Sequence, residues 1–426
     1  MDRIIFHIDV NSAYLSWSAL DLLSQGSSKD LRKIPAIIGG DMEKRHGVVL
    51  AKSIPAKKYG IATGEPIVNA MRKCPTLTIV PPNHHLYHEK SRSLMKLLSG
   101  FTSEIEQVSV DECYMDYTSI SHLYASPLDA ASLIKNSVLS SLGFTVNIGI
   151  SDKKILAKMA SDFEKPNKIH TLYSYEIKEK MWPLPVSSLF MCGRSSVESL
   201  RKLEIETIGQ LAAANKEILS AHLKSHGILL WEYANGIDDT PVISVPAENK
   251  GIGNSTTLPK DVSCKEEAYK VLLSLSESVA SRLRKAKQLA GMVSVEIKYS
   301  TFRSVSHQTM LYTSSDTTGI IYKTACHLFD EFWDGTPIRL LGIRTSKLTS
   351  ALEPTQLNLF DLPASGSNKA SNQKLTALDK ALDDIRNKFG EKAVMRGSLL
   401  SQSNSQQTSP AAPVLKKNES ANQPTQ

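Results

Sequence analysis

Cysteine is scarce in this chain, with five in 426 residues, and the five (Cys74, Cys113, Cys192, Cys264, Cys326) form no CxxC pair. An odd, scattered set excludes both a zinc ribbon and a disulfide framework and suits a reducing cytosol. No apolar run is long enough to cross a bilayer, and the N-terminus lacks the basic-then-apolar pattern of a secretory signal. A soluble, cytoplasmic protein with no membrane partner is therefore expected. Internal repeats are also lacking, which excludes a solenoid. Charge of one sign is only slightly in excess: 50 Lys and Arg against 43 Asp and Glu give a formal +7. That balance permits nucleic-acid binding without establishing it. What the chain does have is length and apolar content, with 41% hydrophobic residues, enough for two to four domains with their own cores.

The hydrophobic pattern divides the chain into segments. Ile4, Ile5, Phe6 and Ile8 make an apolar run that stops at Asp9, which predicts a buried strand with an acid at its C-terminal end. Residues 12–75 hold a short helix, a strand at 47–51 and a basic turn. Strands and helices mix over 76–166, with a hairpin at 103–117. Residues 167–240 read as helical with short loops. Beyond 241 the pattern becomes β-α-β-β-α-β: a first strand near 250–257, a helix over 265–290, strands at 293–299 and 305–312, a helix over 317–333 and a strand over 338–348. A helical patch at 375–388 precedes a Ser-, Gln-, Asn- and Pro-rich tail for which disorder is expected.

Asp9 and the pair Asp111-Glu112 carry the clearest chemical signal. Carboxylates converging from different elements can hold two Mg²⁺ ions that activate a hydroxyl and stabilise a leaving pyrophosphate. By spacing alone, however, they read as ordinary acids at turns. His84, His85 and His88 open a helix but have no further ligand at metal-like spacing, so a helix-start histidine cluster is expected rather than zinc.

Context changes the reading of the acids. HIDVNSAYLSW (7–17), SVDECYMD (109–116), VNIGISDKKILAKMASDFEKPNK (146–168) and KGIGNSTTLPKD (250–261) occur in that order. Over about residues 1–350 the chain resembles the bacterial Y-family translesion DNA polymerases of the DNA polymerase IV type. The resemblance implies a mixed α+β right-hand fold. Its palm would comprise residues 1–11 and 76–166, its fingers 12–75, its helical thumb with a helix-hairpin-helix 167–240, and its β-α-β-β-α-β little finger 241–350. Residues 351–426 would be a clamp-binding peptide and a largely flexible tail.

The same resemblance implies that Asp9, Asp111 and Glu112, with the Val10 carbonyl, ligate two Mg²⁺ ions. Relatives often carry a second acid where this chain has Asn11, for which a local Asx turn is the alternative role. Tyr14 falls at the aromatic gate that excludes a 2′-hydroxyl; without the flanking motif it would read as a core aromatic. Leu50 would lie over the nascent base pair. Lys57 and Lys165 would face the triphosphate of the dNTP, although Ile54 replaces a usual Tyr and Lys57 a usual Arg, whose bidentate fork it lacks.

For primer-template DNA, the candidate contacts are Gly193 and Arg194 in the thumb turn, and in the little finger Lys298 and Arg303 as outward strand residues with Arg344 at the final strand. There 14 Lys and Arg face 10 Asp and Glu over residues 242–350. The usual Gly-x-Gly turn reads Cys192-Gly193-Arg194, and the later Leu-Gly-Ile reads Leu203-Glu204-Ile205. Gln356, Leu357, Leu359 and Phe360 match a QLxLF peptide that seats in the sliding clamp. The implied function is error-prone, template-directed translesion synthesis by a monomer. The alternatives are a non-catalytic DNA- and clamp-binding scaffold and a palm-fold nucleotidyl cyclase.

Overall fold

The computed structural model describes residues 3–40, 47–245, 248–351, 367–390 (backbone alone for 367–373) and 393–399. The chain divides into two compact units, Met1–Glu248 and Asn249–Gln426.

In the first unit the apolar N-terminal run forms β1 (Ile5–Val10), with all six residues buried. A left-handed Ser12 (φ 47°) turns the chain into α1 (Ala13–Ser24). A small sheet follows, made of β2 (Ala36–Gly39), β3 (Val49–Lys52) and β4 (Thr78–Val80), with α2 (Ile54–Lys57) and α3 (Ile67–Lys73) between β3 and β4. Next come α4 (His84–Leu98), β5 (Ile105–Gln107), β6 (Glu112–Asp116), α5 (Pro127–Leu142), β7 (Val146–Ser151), α6 (Lys154–Ser161) and β8 (Ile169–Thr171). The large sheet has the order β5-β6-β1-β7-β8. β1 is its middle strand, antiparallel to β6 and β7, which is why it reads as a continuous apolar run rather than an alternating one.

One face of this sheet is covered by Leu86, Tyr87 and Leu94 of α4 and by Ala131, Ile134 and Val138 of α5. On the other face α6 packs on β1 and β7. That approach is very close: a Cβ on Gly149 would lie 2.0 Å from the Ala157 carbonyl oxygen and 2.5 Å from the Ser161 nitrogen. A glycine in the strand thus sets how near α6 comes to the acidic strand end. The unit closes with α7 (Ile177–Lys180), α8 (Arg194–Arg201), α9 (Ile208–Ala213) and α10 (Lys216–Ala234) around Leu200, Ile208, Leu211, Leu219 and Leu230.

Two segment limits differ from those expected. β4 pairs parallel with β2, so the small sheet runs past residue 75. β8 pairs parallel with β7, so the large sheet runs past residue 166. Three-residue strands of this kind give too short a pattern to separate from loop in sequence.

The second unit has the expected β-α-β-β-α-β order: β9 (Gly251–Val262), α11 (Lys265–Lys285), β10 (Gln288–Tyr299), β11 (Ser304–Ser315), α12 (Thr318–Phe332) and β12 (Ile338–Ser350). The sheet order is β11-β10-β12-β9, antiparallel throughout, with both helices contributing to one core. The helix expected over 265–290 stops at Lys285 because Lys287 turns left-handed (φ 54°) and Gln288 opens β10.

The helical patch expected at 375–388 belongs to a longer α13 (Ser367–Phe389), which folds against this unit. Asp379, 3% exposed, accepts from the Thr318 N–H at the start of α12 (2.8 Å) and pairs with Arg284 and Arg396. Arg284 is bidentate on Asp383 (2.6 and 3.1 Å), and Glu277 receives Arg386 and Arg396. The expected clamp peptide, 356–360, lies outside the described residues. Among the described residues no helix is long and apolar enough to cross a membrane.

Candidate active site

Strand register brings the acids together at one end of the large sheet. Asp9 is the cross-strand partner of Glu112 on one side and of Asn147 on the other. The Val10 N–H donates to the Asp111 carbonyl (2.9 Å), which locks the turn carrying the acid pair against the end of β1. Each carboxylate has one oxygen held by a protein donor. Asp9 Oδ2 is bonded by the Lys165 ammonium, Asp111 Oδ1 by the Ser109 hydroxyl at 2.6 Å, and Glu112 Oε2 by Lys158 Nζ at 2.6 Å. The other oxygens, Asp9 Oδ1, Asp111 Oδ2 and Glu112 Oε1, have no hydrogen-bond partner among the described residues.

Among the described residues, no three His, Cys, Asp or Glu side chains are gathered closely enough to hold a metal ion. The three acids are adjacent in backbone, but Lys158 and Lys165 draw two of them toward α6 and the loop after it. The donors still suit a divalent cation in kind, being all oxygen and each offering one unshared atom.

The electrostatics follow from crowding like charges at a strand end. Burial, together with the charges of Asp9 and Glu112, raises the Asp111 pKa, although the Ser109 hydroxyl opposes the shift. Glu112 moves the other way, to about 2, through the His7 ring and the Lys158 ammonium. His7 is fully buried on β1, and burial lowers its pKa, so the ring is neutral. Its Nδ1 lies 2.8 Å from Ser161 Oγ and its Nε2 3.5 Å from Glu112 Oε2. Because the Ser161 hydroxyl donates to the Lys158 carbonyl (2.8 Å), Nδ1–H donates to Ser161 Oγ, and Nε2 has no hydrogen-bond partner among the described residues. Burial pulls the Lys165 pKa down, but Asp9 and Asp162 outweigh it and the net shift is upward.

A pair of asparagines fixes the loop that carries Lys165, and sequence reasoning missed it. Asn11 does not form the local Asx turn offered as its alternative role. Its Nδ2 donates to Asn147 Oδ1 (3.0 Å) and its Oδ1 accepts from the Asn167 N–H (2.9 Å). Asn147 is fully buried; it donates to the carbonyls of Ser161 (3.1 Å) and Glu164 (2.6 Å) and accepts from the Lys168 N–H (3.2 Å). The signal available in sequence was a polar residue inside the apolar run VNIGIS.

The candidate nucleotide pocket lies on neighbouring elements. Tyr14, half-buried on α1, stacks on Tyr87 of α4 (centroids 4.1 Å, 11° between planes) and meets His84 edge-on at 6.1 Å. Tyr87 is buried, and its hydroxyl lies 3.0 Å from Ser18 Oγ. This is the histidine cluster expected at the start of a helix, with His84 packed against the tyrosines. Leu50 is half-buried on β3, and Lys57 is exposed at the end of α2. Beside them Lys52, whose pKa is lowered by burial and then by Lys57, reaches Thr63 at 3.4 Å.

The candidate DNA contacts are spread over both units. Gly193 caps α8 with an ordinary φ of −74°. The left-handed positions are Met191 (φ 68°) and Glu204 (φ 60°), so this chain adopts at non-glycine residues a backbone that glycine favours. Arg194 is exposed and, among the described residues, paired only with Glu198 on its own helix (3.0 Å). In the second unit Ser294, Glu296 and Lys298 alternate with buried Val293, Val295, Ile297 and Tyr299, so they line the sheet face turned away from α11 and α12. Arg344 pairs with Ser294 in the neighbouring strand. Arg303 is not in a strand but in the exposed turn between β10 and β11, where its carbonyl accepts from the Tyr299 N–H.

Comparison with known proteins agrees with this architecture. Residues 8–162 match the impB/mucB/samB family and residues 249–359 match that family's C-terminal domain. The chain is 47% identical to DNA polymerase IV of Clostridium acetobutylicum over 400 residues, covering 94% of this chain and 99% of that protein. It is 35% identical to DNA polymerase IV 1 of Bacillus subtilis, covering 93% of each. A solved Y-family DNA polymerase chimera, Dbh-Dpo4(243-245)-Dbh, superposes with a TM-score of 0.71 at 22% identity, covering 82% of this chain and 99% of that one. With this right-hand fold and three acids at the end of its central sheet, the chain belongs to the impB/mucB/samB family and is a Y-family DNA polymerase of the DNA polymerase IV type.

Proposed function

We propose that this protein extends a DNA primer by template-directed, error-prone addition of dNTPs past damaged template bases, at the site formed by Asp9, Asp111 and Glu112. The observation that carries this reading is the register of β1 against β6: three carboxylates share one strand end, each with one oxygen held and one unshared. Asp9, Asp111 and Glu112, with the Val10 carbonyl, would hold two Mg²⁺ ions. Bound there, the ions lower the pKa of the primer hydroxyl and offset charge on the leaving oxygens. The primer 3′-oxygen bonds to the α-phosphorus of the dNTP. The bond from that phosphorus to the bridging oxygen breaks, pyrophosphate leaves, and the hydroxyl proton passes to water.

In this reading the chain's own groups position the substrate. Tyr14, braced by Tyr87, lies under the sugar; Leu50 lies over the base pair; Lys57 and Lys165 meet the triphosphate. Lys165 leaves Asp9 for the phosphates and keeps Asp162, 2.8 Å away, as its tether. Apart from β4, which completes the small sheet, and β8, which completes the large one, residues 1–11 and 76–166 act as palm, 12–75 as fingers, 167–240 as thumb and 241–350 as little finger. Gly193, Arg194, Lys298, Arg303 and Arg344 track the DNA backbone. The peptide Gln356, Leu357, Leu359 and Phe360 recruits the protein, as a cytoplasmic monomer, to the sliding clamp. The test is extension of a primer with single dNTPs and Mg²⁺ over a template carrying one abasic position. Incorporation directed by each template base, continuing past the lesion, is expected. Tight primer-template binding without extension would favour the non-catalytic scaffold, and product formed without template would favour a cyclase-like activity.

A further inference from the structure

A helix docked on a domain ordinarily turns its apolar stripe inward and its polar face to water. α13 does the reverse. The stripe it turns to the body is Thr376, Asp379, Asp383 and Arg386, in steps of 3, 4 and 3 residues. Thr376 Oγ1 lies 3.5 Å from Thr317 Oγ1, and the charged side chains join Arg284, Glu277 and Arg396. A second stripe is Leu375, Leu378, Leu382, Ile385 and Phe389, in steps of 3, 4, 3 and 4. Leu378 is 46% exposed, Ile385 39% and Phe389 68%, while Leu375 and Leu382 are half-buried. Among the described residues, none of the five belongs to the apolar core of the second unit.

Alternating steps of 3 and 4 are the seam of a coiled coil, in which each apolar side chain inserts between four of a facing helix. Large apolar side chains on a surface are ordinarily scattered; here they follow one seam over residues 375–389, about 21 Å of helix axis. The polar stripe anchors α13 without using the seam, which leaves the seam for a second helix. Charge beside a seam sets the choice of partner. On the flank away from the body lie Lys374, Ala381 and Lys388, all exposed, and neither lysine makes an ion pair among the described residues. The other flank holds Asp379 and Arg386, both already engaged with the body. A second copy of α13 laid antiparallel would set Lys374 against Lys388. Laid parallel, it would set Lys374 against Asp379, which two arginines already hold. We propose that the outward seam of α13 is a docking site for an amphipathic helix of another protein, with apolar residues at the same spacing and Asp or Glu beside them.

The probe is a fluorescein-labelled synthetic peptide of about three heptads, with Leu at the seam positions and Glu at the flanking ones, whose like charges keep it from pairing with itself. A second peptide carries Lys in place of Glu. Binding to the full chain is read by fluorescence anisotropy. The acidic peptide is expected to bind with a Kd on the order of 10 µM, and the basic one at least about tenfold more weakly. Leu378→Glu combined with Ile385→Glu puts charge into the seam and should weaken the acidic peptide by about a hundredfold or more. Its melting temperature should stay native, since both side chains face solvent. Lys374→Glu combined with Lys388→Glu leaves the seam intact and should reverse the preference, so that the basic peptide binds more tightly. Equal binding of the two peptides by the native chain would overturn the proposal, as would no binding of the acidic peptide up to about 1 mM. Binding that survives the seam variant, or a preference that the flank variant leaves unreversed, would do the same. A native dimer in light scattering that the seam variant dissolves would also overturn it, because a second copy would then be the occupant.

Discussion

Replacing Asn147 by alanine probes the least obvious part of the site. The side chain is fully buried and makes four hydrogen bonds: from the Asn11 amide and the Lys168 N–H, and to the carbonyls of Ser161 and Glu164. Water can reach the loop ends at Glu164 and Lys168, which are exposed or half-exposed, but Ser161 is fully buried and Asn11 is 7% exposed. Two buried polar groups would therefore lose their partner. At roughly 1–3 kcal/mol for each such group, the variant should lose about 3 kcal/mol. For a unit of this size that lowers the melting temperature by roughly 6–12 °C. Circular dichroism melts of native and variant chains give the first readout. Steady-state incorporation gives the second: KM for dNTP should rise more than kcat falls, because the loop freed is the one bearing Lys165. A midpoint within about 2 °C of native, less than roughly 1 kcal/mol, with unchanged KM, would refute the idea that the asparagine pair holds that loop.

Three more outcomes can be stated. Glu204→Gly should stabilise the first unit by about 0.5–1 kcal/mol in urea unfolding, since a left-handed non-glycine residue costs about 1–2 kcal/mol and glycine returns part of that through its unfolded-state freedom; a destabilised variant would mean that the Glu204 side chain makes a contact worth more than its backbone costs. Tyr14→Ala should raise ribonucleotide incorporation relative to deoxyribonucleotide by about tenfold or more in kcat/KM, and unchanged sugar selection would remove Tyr14 from the gate role. Arg284→Ala removes the bidentate cation of Asp383 and one of the two arginines on Asp379, and breaking a buried pair in this way typically costs about 3–5 kcal/mol; a loss below about 1 kcal/mol in the unfolding of the second unit would show that α13 contributes little to it.

Legibility in sequence followed the strength of each local signal. The six buried residues of β1 and the alternation in β10 could be read because their hydrophobic periods are long and regular. The acids could be placed because motif order supplied what their spacing could not. The Asn11–Asn147 pair could not, since it joins residues 136 apart through strand register, and no local pattern reports a hydrogen bond at that range. Lys158 and His7 escaped for a related reason: each looks ordinary alone, and only the packing of α6 on Gly149 brings Lys158 to Glu112 and Ser161 to the His7 ring. Arg303 was misplaced by the opposite error, a turn counted as strand because Arg303 sits two residues before Val305, where the apolar alternation begins. The helix over 265–290 ran too long because Lys287 is an unremarkable helix former whose left-handed backbone is dictated by the return into β10.

The central claim, that the acids at the end of β1 and β6 perform phosphoryl transfer, is tested most directly by Asp111→Asn. The amide keeps an oxygen for the Ser109 hydroxyl, which now lies 2.6 Å from Oδ1, so the turn should survive while the charge is lost. Primer extension with Mg²⁺ should fall by on the order of a thousandfold in kcat while primer-template affinity and melting temperature stay near native. Extension by the variant at the native rate would contradict the account and place the chemistry elsewhere.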